Sequence, residues 1–228
     1  MTDFSYGTGW FAGAVISHDA VLGASVLPNG HVTVERKDLA PITVAPVIAD
    51  RIDAPVVESV LTGGVPTVIL AVKKASHYDW GARELAEAND STVHTFKELY
   101  TFMQDADPRP GLDKNVHYVW DRLEQHSKVA AVEMICEASM HIRRRGSLSD
   151  VIAAVEYQYE FSEEALVRAL KHHPEAGVII NANPNGKPTK AALAHAESTE
   201  VPIVSTTEMM RAFNFNGPQF GRITRPER

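Results

Sequence analysis

The amino-acid sequence predicts an α/β protein of two similar lobes, each with a small mixed or parallel sheet flanked by helices. Three observations lead to this prediction. Asn29-Gly30 lies between two alternating runs, which is a strong signal for an N-terminal β-hairpin. The apolar run at residues 67–72 is typical of a strand covered on both faces, and a helical pattern follows it. A similar order of strands and helices follows residue 177, as expected for parallel strands joined by helices.

The bulk composition is that of a folded globular protein. The chain has 228 residues, of which 44% are apolar, enough for a packed core in one large domain or two small ones. The formal net charge of −7 and the pI of about 5.8 argue against nonspecific binding of nucleic acid through a broad basic surface.

The cysteine content and the N-terminal segment bear on the cellular location. The single cysteine, Cys136, allows no internal disulfide and leaves no cysteine-based zinc site, so we interpret it as a buried core thiol in a reducing cytoplasm. The first residues show no basic segment followed by a long apolar run, and no stretch reaches about 18 apolar residues. We therefore expect a cytoplasmic protein that does not span a membrane.

The first half is expected to begin with a strand over residues 11–17, followed by hairpin strands over 20–27 and 31–37. A helix over residues 44–61 should follow, with a kink at Pro55. After the apolar strand we expect a helix, a short strand and a helix at residues 81–88, 92–95 and 97–104.

Two prolines and a glycine interrupt any periodic pattern in residues 105–111, which we predict to be a linker. It would separate an N-terminal lobe, residues 1–104, from a C-terminal lobe, residues 112–228.

The second half is expected to open with a long helix over residues 116–140. Residues 147–159 fit either a helix or a strand, and we favour the helix. The remaining elements are predicted as helix 162–172, strand 177–181, turn 183–186, helix 189–197, strand 202–205 and helix 207–213.

The two halves match when residues 68–103 are laid over residues 178–213 without gaps. Val68-Ile69 then falls on Val178-Ile179, and Glu98 falls on Glu208. The match predicts an internal duplication. The alternative is that two unrelated segments of alternating strands and helices share the pattern.

Three residues of the predicted hairpin have the chemistry of a metal-dependent nuclease site. Asp19 precedes its first strand, and Glu35 and Lys37 share one face of its second strand, in the pattern D-x15-E-x-K. Carboxylates can hold Mg²⁺ against a phosphate, and a nearby lysine can orient water and offset negative charge. The alternative is a solvated strand face whose charges keep a sheet edge soluble.

This arrangement of Asp19, Glu35 and Lys37, followed by a long helix and a buried strand, resembles the PD-(D/E)xK nuclease superfamily, in particular its Mrr-type restriction endonuclease branch. The resemblance covers roughly residues 10–103, with a weaker match to residue 213. It implies that the three residues are the catalytic triplet, that Asp19 and Glu35 bind Mg²⁺, and that the substrate is DNA.

Other residues suggest binding sites of different kinds. His77 and Asp79 follow the apolar strand, where open α/β sheets bind ligands. Asn183 and Lys187 lie in the corresponding loop of the second half, before a helix N-terminus that favours anions. The basic run Arg143, Arg144 and Arg145 is suited to a nucleic-acid backbone.

These patterns leave several functions open. The first is a Mg²⁺-dependent nuclease acting on DNA in restriction or repair. The second is a noncatalytic two-lobed protein that forms a homo-oligomer or binds a partner. The third is a small-ligand enzyme or binding protein that uses the loops after the central strands. An RNase H-like arrangement is a further structural alternative, because it also places three strands before alternating helices.

Overall fold

The computed structural model describes residues 5–73 and 76–215. The chain divides between Asp113 and Lys114 into two compact units, which we call unit 1 and unit 2. Each unit contains a mixed sheet with flanking helices, so the predicted α/β class is confirmed. Among the described helices, none combines the length and the apolar character needed to cross a membrane.

Unit 1 begins with a short strand and a helix and then forms most of its sheet from three consecutive strands. Its elements are β1 (Ser5–Tyr6), α1 (Thr8–Val15), β2 (Val21–Val26), β3 (Val32–Arg36), β4 (Leu39–Ile48), β5 (Arg51–Ile52), α2 (Ala54–Thr62), β6 (Val68–Ala71), β7 (His77–Tyr78), α3 (Trp80–Glu87), β8 (Val93–Thr95) and α4 (Phe96–Phe102).

The main sheet of unit 1 has the strand order β2-β3-β4-β6-β8. The first three strands are antiparallel, while β4, β6 and β8 are parallel. Strand β1 pairs with β4, and β5 pairs with β7. Alternate residues of β6 belong to two core clusters, one containing Phe11 of α1 and Leu99 of α4, the other Val57 of α2 and Ala82 of α3. Helices therefore cover both faces of the central strands.

Unit 2 has the same kind of order, beginning with a helix and three consecutive strands. Its elements are α5 (Lys114–Glu124), β9 (Val129–Cys136), β10 (Ser139–Arg144), β11 (Val151–Glu156), β12 (Glu160–Phe161), α6 (Glu163–His172), β13 (Val178–Asn181), β14 (Lys187–Pro188), α7 (Lys190–Thr199), β15 (Ile203–Ser205) and α8 (Thr206–Ala212).

The main sheet of unit 2 has the order β15-β13-β11-β10-β9. Strands β9, β10 and β11 are antiparallel, and β11, β13 and β15 are parallel. Helices α6 and α7 pack on one face, where Ala165 and Ala192 join Ile179 in a buried cluster. Apart from β1, which has no counterpart among the described residues of unit 2, the two units thus share the element order and the order of strands in the main sheet.

The last five elements of each unit also agree in position along the chain. Strands β6 and β13 lie within the intervals predicted for them, residues 67–72 and 177–181, and the offset between them is 110 residues (178 − 68). Thr95 and Glu98 form a capping box at the start of α4, and Ser205 and Glu208 form one at the start of α8. The predicted alignment therefore describes equivalent structural positions, while an origin by duplication stays a hypothesis.

The hairpin prediction is confirmed by β2 and β3, but the predictions on either side of it were wrong. Residues 11–17, predicted as a strand, belong mainly to helix α1, in which Phe11 and Val15 are buried on one face four residues apart. Residues 44–48, predicted as helical, end strand β4. Helix α2 begins only after its N-cap, Asp53, so Pro55 lies in the first turn and does not kink it.

The long helix predicted over residues 116–140 was also wrong, because α5 ends at Glu124 and a β-hairpin follows. The buried residues of β9 are Val129, Val132 and Cys136, a spacing that resembles a helical stripe. Irregular pairing between β9 and β10 breaks the strict alternation expected of a strand. Residues 151–156, for which we favoured a helix, form strand β11.

The segment 105–111, predicted as a linker, is bound to unit 1. The Arg36 guanidinium donates hydrogen bonds to the carbonyl oxygens of Met103, Asp105 and Ala106. The ring of His94 donates to the carbonyl oxygen of Pro108 at 2.8 Å. Buried side chains therefore hold this segment in place.

Candidate functional site

The residues of the D-x15-E-x-K pattern lie at one end of the β2–β3 hairpin. Asp19 is in the turn between α1 and β2, Glu35 is in β3, and Lys37 follows β3 directly. The backbone N–H of Lys37 donates to the carbonyl oxygen of Ala20 at 2.9 Å. This bond brings the backbone at Ala20, the residue after Asp19, beside the backbone at Lys37.

All three side chains are exposed. Glu35 lies between the buried residues Val34 and Arg36 and faces the opposite side of the strand. Its pairing partner on β2 is Gly23, which has no side chain to cover the carboxylate. Within residues 5–73 and 76–215, the side chains of Asp19, Glu35 and Lys37 form no hydrogen bond or ion pair.

The donor set of this hairpin end fits Mg²⁺. Asp19 and Glu35 offer carboxylate oxygens, the ligands that Mg²⁺ prefers, and their exposure leaves other coordination positions to water and phosphate. Unit 2 does not repeat the set, because the two last residues of β10 and the residue after them are all arginines, Arg143, Arg144 and Arg145.

His77 and Asp79 lie after β6, as expected, but Asp79 already has a strong partner. Its two carboxylate oxygens accept hydrogen bonds from Nε and a terminal nitrogen of Arg51 at 2.7 and 2.8 Å. His77 pairs with Arg51 in the β5–β7 ladder. These contacts join the loop after β6 to the segment after β4, which is a structural role.

Asn183 and Lys187 lie between β13 and α7, Asn183 in the loop after β13 and Lys187 at the start of the short strand β14. The Oδ1 atom of Asn181 accepts hydrogen bonds from the backbone N–H groups of Gln158 and Asn183. The Oδ1 atom of Asn183 accepts one from the backbone N–H group of Asn185. Asn183 is only 1% exposed, and its Nδ2 amide has no hydrogen-bond partner in the described part of the chain. This loop therefore contains a buried donor that a bound acceptor could satisfy.

The three consecutive arginines do not form one nucleic-acid-binding surface. Arg144 is buried and donates hydrogen bonds to the carbonyl oxygens of Ser149 and Phe215. Arg143 is paired with Glu133, and Arg145 donates to the carbonyl oxygen of Val129. Alternation along β10 sends neighbouring side chains to opposite faces, so adjacency in sequence does not give a joint surface.

A buried polar network in unit 1 was not foreseen from the sequence. Tyr78 donates to the carboxylate of Glu98, and Arg83 donates to the Tyr78 hydroxyl and to Glu87. Glu98 also accepts from the backbone and hydroxyl of Thr95. The one sequence signal for this network was the spacing of four residues between His94 and Glu98.

The ionisation of this network follows from its burial. Burial lowers the pKa of His94 to about 4, so the ring is neutral, with its proton on Nε2 directed at Pro108. Burial raises the pKa of Glu98, against the opposing effect of hydrogen bonds from Thr95. Because both side chains are almost completely buried, this network lies inside unit 1 and offers no open site.

A second cluster was missed in unit 2, where Cys136, Glu137 and His173 meet. One potential ligand atom from each residue lies within 4.8 Å of the other two, and within the described residues this is the one group of three His, Cys, Asp or Glu side chains with such spacing. Cys136 Sγ is 3.5 Å from His173 Nδ1 and 2.8 Å from Ser139 Oγ. His173 is distant in sequence, so only the folded chain reveals the cluster.

Cys136 has the properties of an unreactive thiol in the absence of a cation. Burial, together with the charge of Glu137, raises the pKa of the Cys136 thiol to about 12. A thiolate nucleophile requires a lowered pKa instead.

Comparisons of the chain with protein-family models, with curated proteins and with solved structures found no match.

Proposed function

We propose that this protein is a Mg²⁺-dependent nuclease that acts on the phosphodiester bonds of DNA. The observation in favour is that Asp19, Glu35 and Lys37 are all exposed at the same end of the β2–β3 hairpin, where the Lys37 N–H donates to the Ala20 carbonyl oxygen. The resemblance to PD-(D/E)xK nucleases suggested the same three residues. In this proposal Asp19 and Glu35 bind the metal and Lys37 acts on the water and the phosphate.

The chemistry divides between the metal and the side chains. Bound Mg²⁺ would polarise the phosphate and lower the pKa of its water. The two carboxylates hold the cation with hard oxygen ligands. The ammonium group of Lys37 is a compact charge that orients water and offsets negative charge on the phosphate.

Exposure of the hairpin end is compatible with a polymeric substrate. A DNA backbone can reach groups on an open sheet edge, whereas a narrow cavity would admit only small molecules. The net charge of −7 implies that such binding depends on local cationic groups and on the divalent ion.

The test is cleavage of double-stranded and single-stranded DNA by the purified protein with Mg²⁺ or Mn²⁺. We expect Glu35→Gln and Lys37→Met each to reduce the rate at least about 100-fold, because the first removes a metal ligand and the second removes the ammonium group that acts on the reacting phosphate. Asp38→Asn is the matched control: Asp38 is an exposed neighbour with φ of 57°, a conformation that asparagine tolerates. Its rate should stay within about twofold of the wild type.

Two results would refute the nuclease proposal. One is the absence of metal-dependent cleavage by the wild-type protein. The other is equal cleavage by the wild type and Glu35→Gln, which would point to a contaminating nuclease.

A second candidate function is the binding of a small anion in the loop between β13 and α7. The observation that favours it is the buried Nδ2 amide of Asn183, a donor without a partner in the described residues. The exposed Lys187 and the N-terminus of α7 lie in the same segment and would favour negative charge.

Inorganic phosphate is the first probe for this loop, with binding measured by calorimetry. Asn183→Asp replaces the donor with a carboxylate, so it should weaken phosphate binding at least about tenfold. Asn185→Asp adds the same charge at an exposed neighbour and should have a much smaller effect. Equal effects of the two substitutions, or no binding by the wild type, would argue against the anion site.

A further inference from the structure

We propose that Cys136, Glu137 and His173 form a binding site for one Zn²⁺ ion in unit 2. Zinc favours thiolate, imidazole and carboxylate ligands, and each of the three residues supplies one of these groups. This site is separate in residues and in chemistry from the carboxylate pair proposed to bind Mg²⁺.

The sulfur-to-nitrogen distance agrees with tetrahedral zinc. Bond lengths of about 2.3 Å to sulfur and about 2.0 Å to nitrogen place two tetrahedral ligands about 3.5 Å apart. Cys136 Sγ and His173 Nδ1 are 3.5 Å apart, and the Glu137 carboxylate completes a group within 4.8 Å. Sulfur and nitrogen are thus already at the separation of two zinc ligands, and the carboxylate has to move closer to complete the site.

Charge and ligand softness also favour zinc over magnesium. A thiolate and a carboxylate together balance the two positive charges of the ion, while a neutral imidazole adds none. Cys136 and His173 are 5% and 7% exposed, so a neutral complex avoids the cost of an uncompensated buried charge. Sulfur and imidazole ligands are poorly suited to Mg²⁺, which selects oxygen.

The backbone holds the three residues in defined positions. Cys136 ends β9 and Ser139 begins β10, so Glu137 lies in a tight turn whose Ala138 carbonyl oxygen accepts from Val155 N–H at 2.7 Å. His173 caps the C-terminus of α6, and its N–H donates to Ala169. Three protein ligands leave one position of a tetrahedron for water or another donor.

The test uses the full-length protein after treatment with a chelator and a reductant. The wild type should bind one Zn²⁺ per chain by elemental analysis, and Co²⁺ should give a thiolate-to-metal absorption band. Bound Zn²⁺ should also raise the melting temperature. Each of Cys136→Ser, Glu137→Gln and His173→Gln should weaken binding at least about 100-fold, since loss of even an outer partner of a ligand costs 10 to 100-fold.

His172→Ala is the matched control, because His172 is the neighbouring histidine and supplies no ligand atom to the cluster; its ring centroid is 6.3 Å from that of His173. It should retain one ion and the cobalt band. Circular dichroism identifies any variant that fails to fold. If the substitutions at the buried residues Cys136 and His173 prevent folding, Glu137→Gln, in the turn, still provides the test. Failure of the wild type to bind Zn²⁺, or unchanged binding by Cys136→Ser or Glu137→Gln, would overturn the proposal.

Discussion

His94 is a histidine that unit 1 holds in its neutral form. Its ring is fully buried, donates to Pro108, and faces the carboxylate of Glu98 at 3.9 Å. Desolvation is the main reason that its pKa falls to about 4, and the nearby charge of Arg83 lowers the pKa further. Protonation of this ring therefore opposes folding.

The first prediction is that stability depends on the charge state of His94. Its pKa in the folded protein lies below the ordinary value of 6.5, so its stabilisation is complete above pH 6.5 and is lost as the pH falls towards 4. The full loss is about 3 kcal/mol. His94→Gln retains a donor for Pro108 but cannot titrate.

Denaturant unfolding of the wild type and His94→Gln at several pH values between 7 and 4 measures this effect. The wild type should lose up to about 3 kcal/mol more than the variant over this interval. Glu98, whose raised pKa has the opposite effect on stability, titrates in both proteins and largely cancels in the difference. Parallel pH profiles would contradict the prediction.

At the scale of elements, one buried arginine in each unit connects three segments. Arg36 ends β3 and donates to the carbonyl oxygens of Ala40, near the start of β4, and of Met103, after helix α4. Arg144 ends β10 and donates to Ser149 before β11 and to Phe215 after α8. Both guanidinium groups thus satisfy backbone carbonyls beyond the last helix of their unit.

The second prediction concerns this contact in unit 1. Arg36→Lys should lower the free energy of unfolding by about 2 to 4 kcal/mol, because lysine cannot reach several carbonyl oxygens with a planar group. Arg143→Lys is the control, since Arg143 is half exposed in a surface ion pair and its replacement should cost less than about 1 kcal/mol. Denaturant unfolding would reveal the difference, and equal losses would refute a special role for Arg36.

At the scale of the whole molecule, each unit has its own hydrophobic core. The buried residues of the two described clusters of unit 1 run from Phe11 to Met103, and those of the described cluster of unit 2 run from Ala154 to Ala196. Arg36 and His94 also fix residues 105–111, which precede the boundary between the units, onto unit 1. Chains of this size can fold alone when they have a complete core.

The third prediction is therefore that the fragments Met1–Asp113 and Lys114–Arg228 fold separately. Each should show helix and strand signals by circular dichroism and a cooperative unfolding transition. The spectrum of the 228-residue chain is the reference, and the spectra of the two fragments should add up to it. A fragment without a cooperative transition would show that its unit needs the rest of the chain.

Local signals were enough to predict the hairpin of unit 1 and many elements of the second part of each unit. The turn residues Asn29-Gly30 predicted the hairpin, and the apolar run of β6 predicted a covered parallel strand. In β4 the local pattern was misleading, because its Val and Ala residues also fit a helix. The segment is a strand because β1, β3 and β6 pair with it. Pairing between distant segments decided that conformation.

The sequence by itself determined the α/β class, the hairpin, and the matching order of elements 110 residues apart, because turn chemistry and apolar periodicity act over short distances. Only the tertiary structure decided which polar groups meet. It buried Arg144 away from its exposed neighbour Arg143, and it placed His173 beside Cys136. Such contacts depend on strand register and helix packing, which arise from many distant interactions and leave no short motif in the chain.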